Sequence, residues 1–287
     1  MTVGVVGTGT MGAGVVQVAA SAGHDVIACD PSVESLEKAQ TYVRRGLESF
    51  EKKAIVEDAA FAYERVRWTE NMDDFGGGEN IEAIIEAVPE KLALKTEIFR
   101  KLDGLLPSGS LILTNTSSIS ITELAAATKR PDKVCGTHFF TPPPLHEGVE
   151  IPPGLLTSDE TIERVKRLIK SFGKTPLVVR KAVPGFVANR FLMPLIIEAC
   201  RLLEEGVGSE AEIDEIMKKG LGFPVGPFEM TDMIGLDVAL DVIEYVHAEL
   251  GESFYTPPRI LKEHVRAGKL GRKSGEGFYV YGDSAKN

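Results

Sequence analysis

The chain of 287 residues predicts an α/β protein: a Rossmann-type, doubly wound, largely parallel sheet over residues 1–183, then a smaller all-helical domain over 184–287. Three observations carry that expectation. Short β-branched runs alternate with helix-length stretches up to about residue 180, the pattern of parallel strands joined by crossover helices. The first such unit holds the glycine-rich turn Gly7-x-Gly9-x-x-Gly12. From Pro184 onward the strand signal stops and helical segments follow one another.

The opening unit runs from Val3 to Asp30. Val3–Val6 has strand composition and leads into the three glycines; an apolar stretch of helical length ends at Gly23; Val26-Ile27 begins a second strand. Gly7 lets the strand turn sharply, Gly9 lets backbone approach a pyrophosphate, and Gly12 lets the helix pack closely on the strand. Amides at a helix start, aided by the helix dipole, favour an anion. Asp30 lies 23 residues past Gly7, where a carboxylate accepts from both adenosine ribose hydroxyls. A 2′-phosphate there would meet a negative charge, and Pro31 and Ser32 supply no cation. The unit therefore reads as a site for NAD rather than NADP.

The rest follows in order. Ser32–Lys53 has helical spacing and ends in the basic group Arg44, Arg45, Lys52 and Lys53, either a solvated face or a dock for a phosphate-bearing substrate. Asp73–Asn80 reads as a loop, Ile81–Val88 as a strand broken by Pro89-Glu90, and Leu92–Leu102 as a helix. Ser110–Thr114 is a strand; Ser120-x-x-Glu123 and Thr157-x-x-Glu160 look like capping boxes. Lys133–Phe140 reads as one strand bearing His138, followed by Pro142-Pro143-Pro144. Val149-Glu150-Ile151 is an apolar patch around one carboxylate, and Pro176–Val179 a last strand. Helices are expected at Val187–Glu205, Glu210–Lys219, Pro227–Met233, Leu236–Leu250 and Arg259–Ala267. Phe191–Ile197 is too apolar for a solvent-facing helix, so it is expected to pack on the first domain or a second subunit.

Composition narrows the function classes. The chain is 43% hydrophobic and 26% charged, with net charge −10 and pI about 5.2, which argues against nucleic acid or anionic membrane as the main partner. No apolar run reaches membrane-spanning length. The first strand begins at once, so no signal peptide is expected. Cys29, Cys135 and Cys200 lack metal-ligand spacing and suit reduced thiols in a cytoplasmic protein. His24, His247 and His264 read as structural or solvent-facing.

Several stretches together resemble the short-chain L-3-hydroxyacyl-CoA dehydrogenase family, of the 3-hydroxybutyryl-CoA dehydrogenase type: GTGTMGAGVVQVAASAGHDV, EAVPEKLALKTEIFRKLD, TNTSSISITELAAATKRPDKV, GTHFF, VPGFVANRFLMPLIIEA and GKLGRKSGEGFYVY. The resemblance covers nearly the whole chain. It implies reversible oxidation of a 3-hydroxyacyl thioester by NAD, with His138 as base and Glu150, 12 residues on, as its partner. The chemistry needs such a pair: the hydroxyl proton requires a base with proton affinity near neutrality, and a carboxylate fixes the imidazole tautomer. By position, Ser117 resembles a residue touching substrate and nicotinamide, and Asn189 one positioning the substrate carbonyl. Thr10, Met11, Glu90, Lys95, Thr141 and Lys273 resemble cofactor contacts beside Gly7, Gly9, Gly12 and Asp30. Ordinary surface charge is the plain alternative for Glu90 and Lys95. Lys53 resembles a lysine that meets the coenzyme A phosphate. An acyl-CoA substrate and a homodimer formed through the helical domain are implied partners.

The pattern departs from the family near the presumed thioester site. Thr141 replaces an asparagine. Pro143–Gly148 replaces a mostly apolar run with one lysine, and Pro152-Pro153-Gly154 is unusual. Gly46 stands where a serine can meet the coenzyme. His146 is either a second polar group in the pocket or a rim residue. These changes bear on substrate more than on reaction. A free hydroxy acid is the second reading, and an NAD-binding protein without catalysis the third.

Overall fold

The computed structural model describes residues 1–77 and 80–281. It divides into two compact units, Met1–Ala182 and Val183–Asn287, each with its own core.

The first unit is built on six parallel strands: β1 (Thr2–Val6), β2 (Asp25–Cys29), β3 (Val66–Thr69), β4 (Ile81–Glu86), β5 (Leu111–Thr114) and β6 (Val134–Gly136), in the order β3-β2-β1-β4-β5-β6. The central strands are apolar on both faces because helices cover both: Val3, Val5, Ile84, Ile85, Ile112 and Leu113 have no exposed surface. The strand order reverses between β1 and β4, the switch point where such sheets bind ligands. Crossovers are made by α1 (Thr10–Ser21), α2 (Val33–Lys52), α3 (Ala59–Glu64), α4 (Leu92–Leu105) and α5 (Ile121–Ala126).

The edge strand β3 and helix α3 had no place in the sequence reading. Four residues, Val-Arg-Trp-Thr, with only Val66 buried, give a weak period-2 signal. The stretch read as the loop Asp73–Asn80 begins as a 3₁₀ turn, Met72–Gly76; Gly78 lies outside the described residues.

The expected single strand Lys133–Phe140 is two. After β6 the chain leaves the parallel sheet: Thr137 N–H still bonds Thr114 O at 2.8 Å, but β7 (His138–Phe139) pairs antiparallel with β8 (Gly148–Ile151), which pairs parallel with β9 (Thr175–Val178). Continuous apolar sequence hid the change of sheet. Between β8 and β9 runs α6 (Asp159–Ser171), capped by Ser158, which accepts from Thr161 N–H at 3.2 Å. The expected cap, Thr157, turns inward: its hydroxyl accepts from Gly154 N–H at 2.8 Å and donates to Val134 O at 2.6 Å. Ser120 does cap α5.

The second unit holds α7 (Ala188–Glu204), α8 (Glu210–Glu215), α9 (Pro227–Ile234), α10 (Leu236–Leu250) and α11 (Arg259–Arg266). The helix expected over Glu210–Lys219 changes to a π turn at Ile216–Gly220. The apolar stretch of α7 mostly fills this unit's own core: Met193, Ile196 and Ile197 are buried there, while Phe191 is 79% exposed. Two aspartates anchor the unit. Asp214 accepts from Phe228 N–H, Glu229 N–H and the Tyr279 hydroxyl at 2.9–3.0 Å. Asp232 accepts from Phe278 N–H, Tyr279 N–H and the Tyr281 hydroxyl, each at 2.9 Å. Burial, with the bond to Asp232, pushes the Tyr281 phenol up to about 12, so it stays a donor. The sequence reading gave neither aspartate a structural role, although Asp232 lies in the stretch GFPVGPFEMTD, which resembles the family.

Candidate active site

The glycine-rich turn has the geometry its residues require. Gly7 sits at φ +89°, and a Cβ there would meet the Ala87 backbone at 2.8 Å. A Cβ on Gly12 would lie 1.8 Å from Gly7 O, so strand and helix approach as closely as backbone allows. At Gly9 nothing lies within 4 Å of the Cβ position. Gly9 is also the N-cap of α1, and no side chain caps that end. Bare amides and open space above them are what a diphosphate needs.

Gly7, Gly9, Thr10, Met11 and Asp30 line one cleft of about 770 Å³, whose far wall is Ala87, Val88 and Pro89. Leu94 and Ile98 of α4 supply apolar surface there. Asp30 is held ready at the end of β2. One carboxylate oxygen accepts from Thr8 N–H at 2.8 Å and the other from Ser32 N–H at 2.9 Å, so the group is oriented before any ribose arrives. The residues present fit a dinucleotide.

Glu90 and Lys95 are not surface charges on a common helix face. Lys95, on α4, is 1% exposed. Its ammonium reaches Glu86 Oε1 at 2.6 Å, Val88 O at 3.2 Å and Glu90 Oε2 at 3.2 Å. Glu86, the last residue of β4, is fully buried and also accepts from Val88 N–H and the Thr114 hydroxyl, both at 2.7 Å. Glu90 organises the turn after β5: it accepts from the Thr116 hydroxyl and from Ser117 N–H and Ser118 N–H at 3.0 and 3.2 Å. Burial alone would raise the Glu90 carboxyl; Lys95 and these bonds outweigh it and hold the group below the usual carboxylate range. Burial raises the Glu86 carboxyl, with Lys95 opposing. Glu86 was missed in the sequence, where it reads as the polar end of an apolar strand.

His138 and Glu150 face one another across β7 and β8, paired in register. His138 Nδ1 lies 2.8 Å from Glu150 Oε2, and both side chains are buried. A carboxylate on Nδ1 keeps the proton there and puts the lone pair on Nε2. Phe140 packs its ring against the His138 ring at 5.2 Å.

The loop after β7 is tied to α1. The Thr141 hydroxyl donates to Met11 Sδ at 2.9 Å, and a Cβ on Gly14 of α1 would meet Pro143 at 2.6 Å. His146 is exposed on the loop; its Nε2 bonds Thr141 O at 2.9 Å and its ring lies 6.2 Å from that of Phe140. It braces the loop rather than offering a free polar group. Gly46 has a packing reason: a Cβ there would overlap the Gln17 amide at 2.2–2.6 Å. Lys53 closes α2 as its exposed C-cap. Asn189, in the first turn of α7, and Lys273, bonded to Asp237 at 2.6 Å, lie in the second unit.

Fold and site together define an NAD-dependent dehydrogenase: a glycine-built dinucleotide cleft in the unit that carries a buried imidazole–carboxylate pair. Residues 2–183 match the family description "3-hydroxyacyl-CoA dehydrogenase, NAD binding domain" and residues 185–281 "3-hydroxyacyl-CoA dehydrogenase, C-terminal domain". The chain belongs to the 3-hydroxyacyl-CoA dehydrogenase family, and its cofactor is NAD. It is 42% identical to a 3-hydroxybutyryl-CoA dehydrogenase of Clostridioides difficile, over 98% of this chain and 99% of that one. It is 40% identical to a probable 3-hydroxybutyryl-CoA dehydrogenase of Deinococcus radiodurans, over 98% and 100%. The crystal structure of the (S)-3-hydroxybutyryl-CoA dehydrogenase PaaH1 from Ralstonia eutropha superposes with a TM-score of 0.90 at 43% identity, over 98% and 99% of the two chains.

Proposed function

We propose that this chain oxidises a short-chain L-3-hydroxyacyl-CoA to the 3-ketoacyl-CoA, reversibly, with His138 as the base. The observation that carries the reading is the buried 2.8 Å pairing of His138 Nδ1 with Glu150. NAD, when bound, supplies the hydride acceptor. As hydride leaves C3, the 3-hydroxyl proton becomes acidic and His138 Nε2 takes it. Glu150 stabilises the imidazolium that forms and keeps the ring from turning. Ser117, whose N–H is fixed by Glu90, and Asn189 hold the substrate oxygens. Asp30 would hold the adenosine ribose, and the amides after Gly9 the diphosphate. Lys53, with the basic end of α2, takes the coenzyme A phosphate.

A panel of 3-hydroxybutyryl-CoA, longer 3-hydroxyacyl-CoA esters and the free 3-hydroxy acids, at fixed NAD, tests this by the appearance of NADH. Turnover of the thioester is expected; turnover of the free acids alone would move the assignment to the hydroxy-acid dehydrogenases. No helix among the described residues is long and apolar enough to cross a membrane. Three unpaired, buried cysteines support a reducing compartment, the cytoplasm. Phe191, exposed on α7, supports a homodimer, to be tested by light scattering.

A further inference from the structure

The strand that carries His138 is held along both edges. On one edge lies β8, whose pairing sets Glu150 opposite His138. On the other, β5 has run out. Thr114 is the last residue of β5 to pair with β6, opposite Gly136. Thr137 N–H makes the final backbone bond of that ladder, to Thr114 O at 2.8 Å. Two residues on, at Phe139, a continued parallel ladder would need another carbonyl from β5. A side chain supplies the acceptor instead: Phe139 N–H donates to Asn115 Oδ1 at 2.9 Å. His138 therefore sits between two amides that are both anchored at the end of β5.

Asn115 is itself fixed. It is buried, and its own N–H donates to Glu86 O at 2.7 Å, while the next residue of that segment, Ala87, donates its N–H to Val6 O at 2.7 Å. Val6 and Ala87 line the dinucleotide cleft. A line of bonds thus runs across the carboxyl ends of the strands, from the cleft wall through Asn115 to the strand of the base. Its last link is the Asn115 side chain. An asparagine serving only its own turn would bond neighbouring backbone; this one reaches a residue 24 positions away.

We propose that Asn115 is a positioning residue for the reaction: its side-chain oxygen sets where the His138–Glu150 pair stands relative to the dinucleotide cleft. The idea rests on His138 being the base and concerns its placement, not its basicity. Histidine and glutamate are joined across β7 and β8, so loosening the Phe139 bond moves them together. The imidazole keeps its carboxylate and loses its alignment with the substrate hydroxyl. A misplacement of about 1 Å is enough to cost on the order of 10²-fold in rate.

The test compares Asn115→Leu, which fills similar space without an acceptor, with Asn115→Asp, which offers an acceptor whether or not it is ionised. Turnover of the best substrate of the panel is divided by the number of NAD sites counted by calorimetry, so that loss of folded protein cancels. We expect Asn115→Leu to lower kcat per site about 10- to 100-fold, with the Kd for NAD within about twofold of wild type. The acid limb of the kcat/KM profile is expected to stay in place, and Asn115→Asp to recover most of the lost rate. Asn115→Ala, which removes the acceptor without adding bulk, carries the same expectation if the leucine variant does not fold. A kcat per site within about twofold of wild type in the variants without an acceptor would overturn the proposal. So would a rate loss that came with a shifted acid limb, or one that aspartate did not recover. His138→Gln is measured alongside. If it stays active, the base reading itself fails; if it is inactive while Asn115→Leu is not, only the placement by Asn115 falls.

Discussion

The two units each bury a set of acids, and they satisfy them by opposite means. In the first, buried Glu86 shares a lysine with the more exposed Glu90, and buried Glu150 pairs with a histidine. In the second, among the described residues, Asp214 and Asp232 accept from backbone N–H groups and tyrosine hydroxyls. Neutral donors tie an acid to one backbone geometry and give it no partner that changes charge near neutral pH. A cationic or titratable partner leaves a charge or a proton that chemistry can use. The difference teaches that burial of an acid marks importance, while the kind of donor separates reaction from architecture.

The sharpest way to break this comparison is at the histidine. His138→Gln is expected to lower kcat by about 10² to 10⁴-fold with little change in thermal unfolding, since glutamine fills similar space but takes no proton at neutral pH. Full retained activity would remove the base from the mechanism. The mirror case is Asp232→Ala, which strands two backbone N–H groups and a phenol. A loss of about 3–5 kcal/mol is expected in denaturant unfolding, with the specific activity of the remaining folded protein nearly unchanged.

Smaller effects sharpen it. Gly46→Ser drives a side chain into Gln17, costing about 1–3 kcal/mol. Gln17→Ala in the same chain is expected to recover most of that. If Gly46→Ser were neutral, the Gln17 contact would not explain the glycine. The smallest effect concerns His24, whose ring is buried against Phe172 and bonds Ser171 O at 3.3 Å. Burial lowers its pKa from the ordinary 6.5. The unfolded chain therefore takes up a proton as pH falls through 6.5 while the folded one does not, and stability present above that pH is lost below it. His24→Gln is expected to flatten unfolding free energy between about pH 6.5 and 5, a range above the ordinary carboxylates.

Much of this was legible in the linear chain. The glycines and Asp30 were readable because each answers a backbone or anion requirement at fixed spacing. The alternation of strands and helices was readable because buried parallel strands are apolar throughout. The departure at Gly46 was visible, but its cause was not, since Gln17 is 29 residues away in sequence and meets it only where two helices cross. The split of Lys133–Phe140 was hidden because a strand that changes sheet keeps its composition. Glu86 was hidden because one polar residue ending an apolar run looks like the approach to a loop. Ordinary surface charge stayed open for Lys95 beside the cofactor reading, because its three acceptors come from the end of β4 and the turn after it.

The pairing of β7 with β8 has one more consequence. His138 and Glu150 are neighbours across a hairpin, so their mutual distance is secured by ladder bonds at the stem and not by the 141–147 excursion that joins them. Length and chemistry at the tip can vary without disturbing the imidazole–carboxylate pair beneath it.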